Sequence, residues 1–95
     1  DLSIYETNRD ILYHELSSIG YGVVKPDGAF YLFVKALEKD AVKFCENAKK
    51  FELLLVPSDS FGCSGYIRIS YCVDTSMIKR SLNSFKALYD SYKEV

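Results

Sequence analysis

The sequence has little of what metal and nucleophile chemistry usually needs. It holds one histidine, His14, and three cysteines, Cys45, Cys63 and Cys72, with no CxxC spacing among them. One imidazole and no clustered acidic spacing leave a transition-metal site without ligands. An odd, unpatterned set of thiols makes neither a disulfide framework nor a zinc site. The cysteines are expected to be buried or bystander groups, and a reducing cytoplasm is the simplest setting for them. His14 falls with Thr7, Asp10, Ser17 and Ser18, opposite the apolar stripe of its helix, so a Cys-His or Ser-His nucleophile has no support. Long apolar runs are lacking too: none approaches the ~18 residues of a membrane span, and the opening "DLSIYETNRD" is too acidic for a signal peptide. Twelve basic residues stand against 13 acidic ones, a net charge of −1, without a basic cluster. Nothing here would follow a phosphate backbone, so nucleic acid is not an expected partner. The loop "PSDSFGCSG" carries Gly62 and Gly65 but has neither GxGxxG nor P-loop lysine spacing. "SMIK", Ser76 to Lys79, matches S-x-x-K by letters alone, because the companion motifs are missing and it sits in the first turn of an amphipathic helix.

What is present is an ordinary globular composition, 48% hydrophobic and 26% charged. Ninety-five residues make one domain, spanning 1–95, which hides only about 60–65% of its unfolded surface. No repeat, low-complexity tract or linker divides it. Ile4, Ile11, Leu12, Leu16 and Ile19 recur at helical spacing, with Ser3 and Glu6 spaced as a capping box and Gly20 as the stop. A hairpin follows in "YGVVKPDGAFYLFV", turning at Pro26-Asp27-Gly28. A second helix is expected from about Asp40 to Phe51, with Ala41, Val42, Cys45 and Ala48 inward. "ELLLVP" reads as a short buried strand ended by Pro57, and "YIRISYC" as the last strand. The final helix is capped by Asp74 and striped by Ile78, Leu82, Phe85, Tyr89 and Tyr92. The order α-β-β-α-β-β-α predicts an α+β two-layer sandwich, a small mixed sheet packed by helices. "AFYLFV" is apolar on both faces, as strands covered on both sides are. Three helices can supply that cover, and so can a neighbouring domain.

Arg68 interrupts the last strand. Alternation puts Ile67, Ile69 and Tyr71 on one face and Tyr66, Arg68, Ser70 and Cys72 on the other. The residues alone leave two readings open. One is a structural arginine, salt-bridged or snorkelling at the sheet rim. The other is a clamp for a carboxylate, which a planar two-pronged cation on a strand suits.

The "NRD" of the first helix, the "PDGAFY" hairpin and "LLVPSDSFGCSGYIRIS" together resemble the C-terminal small domain of class I pyridoxal-phosphate-dependent aminotransferases of fold type I, over essentially all 95 residues. The resemblance implies that Arg68 binds the α-carboxylate of an amino-acid or 2-oxo-acid substrate. It implies that Phe30, with Gly28 and Ala29 beside it, lines the pocket, and that Phe61 and Gly62 belong to the loop at its edge. It further implies a large domain of the same chain that supplies the catalytic lysine and holds pyridoxal phosphate. This chain would then contribute no catalytic, cofactor-binding or metal residue and be inactive alone, while the complete cytoplasmic enzyme is a homodimer. The family usually reads VPGxxFG where this chain has "VPSDSFG". Ser58 in an unchanged positive-φ bend would carry about 1–2 kcal/mol of strain, unless the loop adjusts. A β-lyase or an aminocyclopropane-carboxylate-synthase-like activity on the same scaffold is an alternative, as is a freestanding α+β ligand-binding or interaction module.

Overall fold

The computed structural model describes residues 2–24, 31–58 and 64–93. Helix α1 spans Leu2–Ile19. Ser3 therefore lies inside the helix, where the capping box had been expected to start it. The stop at Gly20 does: φ is +129° there, and the amides of Gly20 and Tyr21 both donate to the Leu16 carbonyl at 3.1 and 3.0 Å. A β-carbon at position 20 would also overlap the Tyr89 hydroxyl, so glycine is required twice over.

The two arms of the first hairpin pair among the described residues. Val23 bridges Val34, the Val24 amide donates to Phe33 O at 2.9 Å, and the Lys35 amide to Gly22 O at 2.7 Å. The expected turn at Pro26 to Gly28 lies outside the described residues. Strand β1 is Tyr31–Lys35, β2 is Val56–Pro57 and β3 is Tyr66–Ser70. Their order is β1-β3-β2, with β3 central. Both pairings are antiparallel, so the sheet is antiparallel among the described residues where a mixed one was expected.

Helix α2, Ala41–Ala48, begins where the Asp40 carboxylate accepts from the amides of Val42 and Lys43 at 3.1 and 3.2 Å. This caps two amides that have no helical partner. A 3-10 turn, Lys49–Phe51, extends it and ends at Glu52 with φ 63°. Ala41, Phe44, Cys45 and Ala48 face inward at the i, i+3, i+4, i+7 spacing. Val42, expected inward, is 51% exposed because it stands about 100° round the helix from that stripe. "ELLLVP" is corrected as well. Leu53 is buried, but Leu54 is 86% exposed, and only Val56 and Pro57 pair with β3. Helix α3, Thr75–Lys93, buries Ile78, Phe85 and Leu88. Its first turn starts on Asp74, whose backbone carbonyl accepts from Met77 and Ile78.

The α+β class follows from this arrangement: the helices cover the sheet face that carries Leu32, Val34 and Ile67, all fully buried. Tyr21 joins the layers, its hydroxyl donating to Phe85 O at 2.7 Å and its ring meeting Phe85 edge-on at 5.9 Å. Asn8 is a fully buried polar side chain on α1. Its amide nitrogen donates to the carbonyls of Tyr71 (3.0 Å) and Val73 (2.5 Å), and its oxygen accepts from Thr75 Oγ1 (2.7 Å). These bonds hold the β3–α3 connection against α1. No helix among the described residues is long and apolar enough to cross a membrane.

Candidate carboxylate-binding site

Arg68 occupies the middle of the central strand, opposite Phe33 of β1 and Val56 of β2. A ladder on each side fixes its backbone more firmly than a loop or an edge strand would. Ile67, next to it, is fully buried in the core, so strand alternation sends Arg68 to the other face. The side chain is half-buried, its Nε fully so. Its guanidinium carbon sits 4.9 Å from the centroid of the Tyr31 ring.

The cleft beside Arg68 has a volume of about 430 Å³ and is lined by Tyr31, Leu54, Val56, Met77 and Phe85, among others. Its rim is unusual for surface. Leu54 (86% exposed), Met77 (51%), Val56 (45%) and Tyr31 (41%) are four of the seven large apolar side chains that stand exposed among the described residues. Gathered apolar exposure of this kind marks a binding or docking surface, whereas scattered exposed residues need no explanation. Among the described residues of the lining, only Arg68 and Glu52 are charged. A more open depression of about 540 Å³ lies between β1 and α2, lined by Lys35, Glu38, Lys39 and Gly65 among others. Its two lysines are exposed. Its carboxylate is engaged elsewhere, since the Tyr92 hydroxyl donates to Glu38 and Asn47 Nδ2 lies 3.4 Å from the same oxygen. The Arg68 cleft is the better-built site.

Of the substrate-binding residues expected from the resemblance, Arg68 lies among the described residues and lines this cleft. Phe30, Gly28, Phe61 and Gly62 lie outside the described residues, as do Ala29 and Cys63. His14 is exposed on α1, in edge contact with the Tyr13 ring, and Lys79 is exposed on α3. Neither lines the cleft. Cys45 is buried and Cys72 half-buried, and no group of metal-ligating side chains occurs among the described residues. Ser58 does not occupy a positive-φ bend, so the conditional strain does not arise. Among the described residues only Glu52 has positive φ outside glycine. Ser58 instead extends the β2 ladder through its amide to Tyr66 O at 2.9 Å. Its hydroxyl is buried and finds no hydrogen-bond partner among the described residues.

Sequence reasoning missed Tyr31, Leu54 and Met77. The signal for Tyr31 was in the pattern, since "AFYLFV" puts an aromatic on the face away from Leu32 and Val34. Leu54 and Met77 gave none, because an exposed leucine or methionine reads as core.

Known proteins match this chain in sequence and in fold. The family described as aminotransferase class I and II matches residues 2–85. A probable aspartate aminotransferase of Methanocaldococcus jannaschii is 35% identical over 89 residues, 90% of this chain and 24% of that protein. A crystal structure of an amino transferase from Eubacterium rectale superposes with a TM-score of 0.93 at 55% identity, over 97% of this chain and 23% of that one. An aromatic aminotransferase from Pyrococcus horikoshii does so with a TM-score of 0.86 at 28% identity, over 98% of this chain and 26% of that one. The chain thus spans about a quarter of the length of the relatives it matches. With 84 of its 95 residues inside the family match, this chain belongs to the class I and II aminotransferases.

Proposed function

We propose that residues 1–95 form the small, C-terminal domain of a pyridoxal-phosphate-dependent amino-acid aminotransferase, and that this domain grips the substrate carboxylate through Arg68 and closes over the bound substrate. The observation that carries the reading is a guanidinium on the central strand, facing a cleft with an exposed apolar rim. A permanently charged planar fork matches the two oxygens of a carboxylate. Amino acids and 2-oxo acids both present that group, so one clamp serves both directions of amino transfer. Leu54, Val56 and Met77 offer the apolar surface that a larger domain of the same chain would cover. Such closure excludes water and strengthens the charge–charge attraction within the site.

The family implies pyridoxal phosphate. That cofactor needs a lysine amine, an acidic partner for its ring nitrogen and a phosphate cradle. No lysine lines the cleft among the described residues, and Glu52 is its one carboxylate. These residues do not fit the holding set, which we assign to the larger domain. The chain alone would then have no transaminase activity, and the dimer interface of the complete enzyme would lie mainly outside it.

In the complete enzyme, Arg68→Ala should lower kcat/KM for amino acid and 2-oxo acid about ten- to hundredfold. This corresponds to the loss of charge-assisted bonds worth about 1.5–3 kcal/mol. The visible absorbance of the bound cofactor should not change. Wild-type turnover at low substrate in that variant would refute the assignment.

A further inference from the structure

Across the β1–β3 ladder Tyr31 stands opposite Ser70, and Phe33 opposite Arg68. Residues two apart on a strand share a face with their cross-strand partners, so these four side chains form one square on the sheet face away from Leu32 and Val34. Its diagonal brings Tyr31 to Arg68, a separation that aromatic and long side chains can bridge. The guanidinium carbon lies 4.9 Å from the ring centroid, within the distance at which an aromatic face attracts a cation. Leu32 and Val34, on the opposite face of the same strand, are fully buried. The backbone that carries the ring is thereby anchored in the core, while the ring itself stays 41% exposed and lines the cleft.

Resting on the carboxylate-clamp reading above, we infer that Tyr31 is a positioning residue for Arg68. Its ring is the platform that holds the guanidinium ready to receive a carboxylate. Arginine has a long, flexible stem, and ordering it when a ligand arrives opposes binding. A stack formed beforehand removes that penalty from the binding step. An aromatic ring attracts a guanidinium through its face, whereas a carboxylate is bound at the N–H edge, so the two interactions do not compete. Nε is already buried, so the terminal nitrogens are the ones the platform presents. The attraction also strengthens as water leaves the site. Tyr31 therefore acts on substrate capture, on KM rather than on kcat.

The test uses the complete enzyme with Tyr31→Leu, Tyr31→Phe and Arg68→Lys. Steady-state kinetics are measured with L-aspartate and L-phenylalanine, and inhibition with maleate as a non-reacting carboxylate. Tyr31→Leu should raise KM for the better amino acid, and the maleate inhibition constant, about five- to thirtyfold, with kcat within about threefold. Its melting temperature should match wild type, since the side chain is exposed and outside the core. Tyr31→Phe keeps the ring and should stay within about twofold of the wild-type KM. A Tyr31→Leu enzyme with wild-type KM beside an impaired Arg68→Lys overturns the platform and leaves the clamp standing. An unimpaired Arg68→Lys overturns the clamp reading itself. Equal losses in Tyr31→Phe and Tyr31→Leu would assign the effect to the hydroxyl, and a fall in kcat at constant KM would place it outside capture. Either result overturns the platform.

Discussion

Replacing Asn8 with alanine removes three hydrogen bonds at once. The carbonyl of Tyr71 loses a donor in a buried setting, while those of Val73 and the hydroxyl of Thr75 lose partners in a partly buried one. A neutral hydrogen bond contributes about 1 kcal/mol net, and a buried acceptor left unsatisfied costs about 1–3 kcal/mol. Water can reach Val73 O, and the Thr75 hydroxyl can rotate, so Tyr71 O dominates the sum. Asn8→Ala should therefore destabilise the fold by about 2–4 kcal/mol. That is a large share of the roughly 5–15 kcal/mol available to a domain of this size. Equilibrium urea unfolding followed by far-ultraviolet circular dichroism should show a midpoint lowered by about 1–2 M. Thr75→Val breaks one of the three bonds and should cost about 1 kcal/mol. Because the two variants share that bond, the double variant should cost less than their sum. An Asn8→Ala protein within about 0.5 kcal/mol of wild type would refute the reasoning, as would strict additivity with Thr75→Val.

Three further outcomes follow from the packing. Burial, chiefly, raises the Tyr21 hydroxyl above the usual tyrosine value of 10.0, with Tyr89, Tyr92 and Asp90 adding to it. The native state thus keeps a proton that the unfolded chain gives up, so this stabilisation is complete below about pH 10 and is lost as pH rises further. Tyr21→Phe should cost about 1 kcal/mol at neutral pH and flatten the alkaline limb of a stability–pH profile. On α2, Phe44→Ala should cost about 3–5 kcal/mol and Val42→Lys stay within about 0.5 kcal/mol in the same urea assay; the reverse order would contradict the inward face assigned to the helix. Ser58→Ala removes a buried hydroxyl with no partner among the described residues, so it should raise the unfolding midpoint, by about 1 kcal/mol in stability.

Periodicity found the elements, and local chemistry found most of their ends, because caps and turns act over three or four residues. Gly20 is such a signal and operates in the structure, and the second helix starts at Asp40 as expected. One source of error is contact between residues distant in the chain. Ile4 was placed on the α1 stripe but is 49% exposed, whereas Asn8 is fully buried. A reading that counts only apolar residues passes over an asparagine whose partners lie 63 to 67 positions away. Val42 outranks Phe44 only if the phase of a short helix is taken from its first apolar pair. Leu54 looks like core to any hydrophobicity count, yet it is 86% exposed. Arg68 was legible as a position, since strand alternation places it on the face away from Ile67. Its role was not legible from spacing, because a rim salt bridge and a carboxylate clamp leave the same trace in one sequence. The resemblance to aminotransferases supplied that choice.

The most direct test of the clamp is a crystal structure of the complete protein with maleate bound. The account predicts a maleate carboxylate within hydrogen-bonding distance of the terminal nitrogens of Arg68, with the Tyr31 ring still against the guanidinium and the Leu54–Met77 rim covered by the larger domain. Both maleate carboxylates held by other residues, with Arg68 turned away from the ligand, would contradict it.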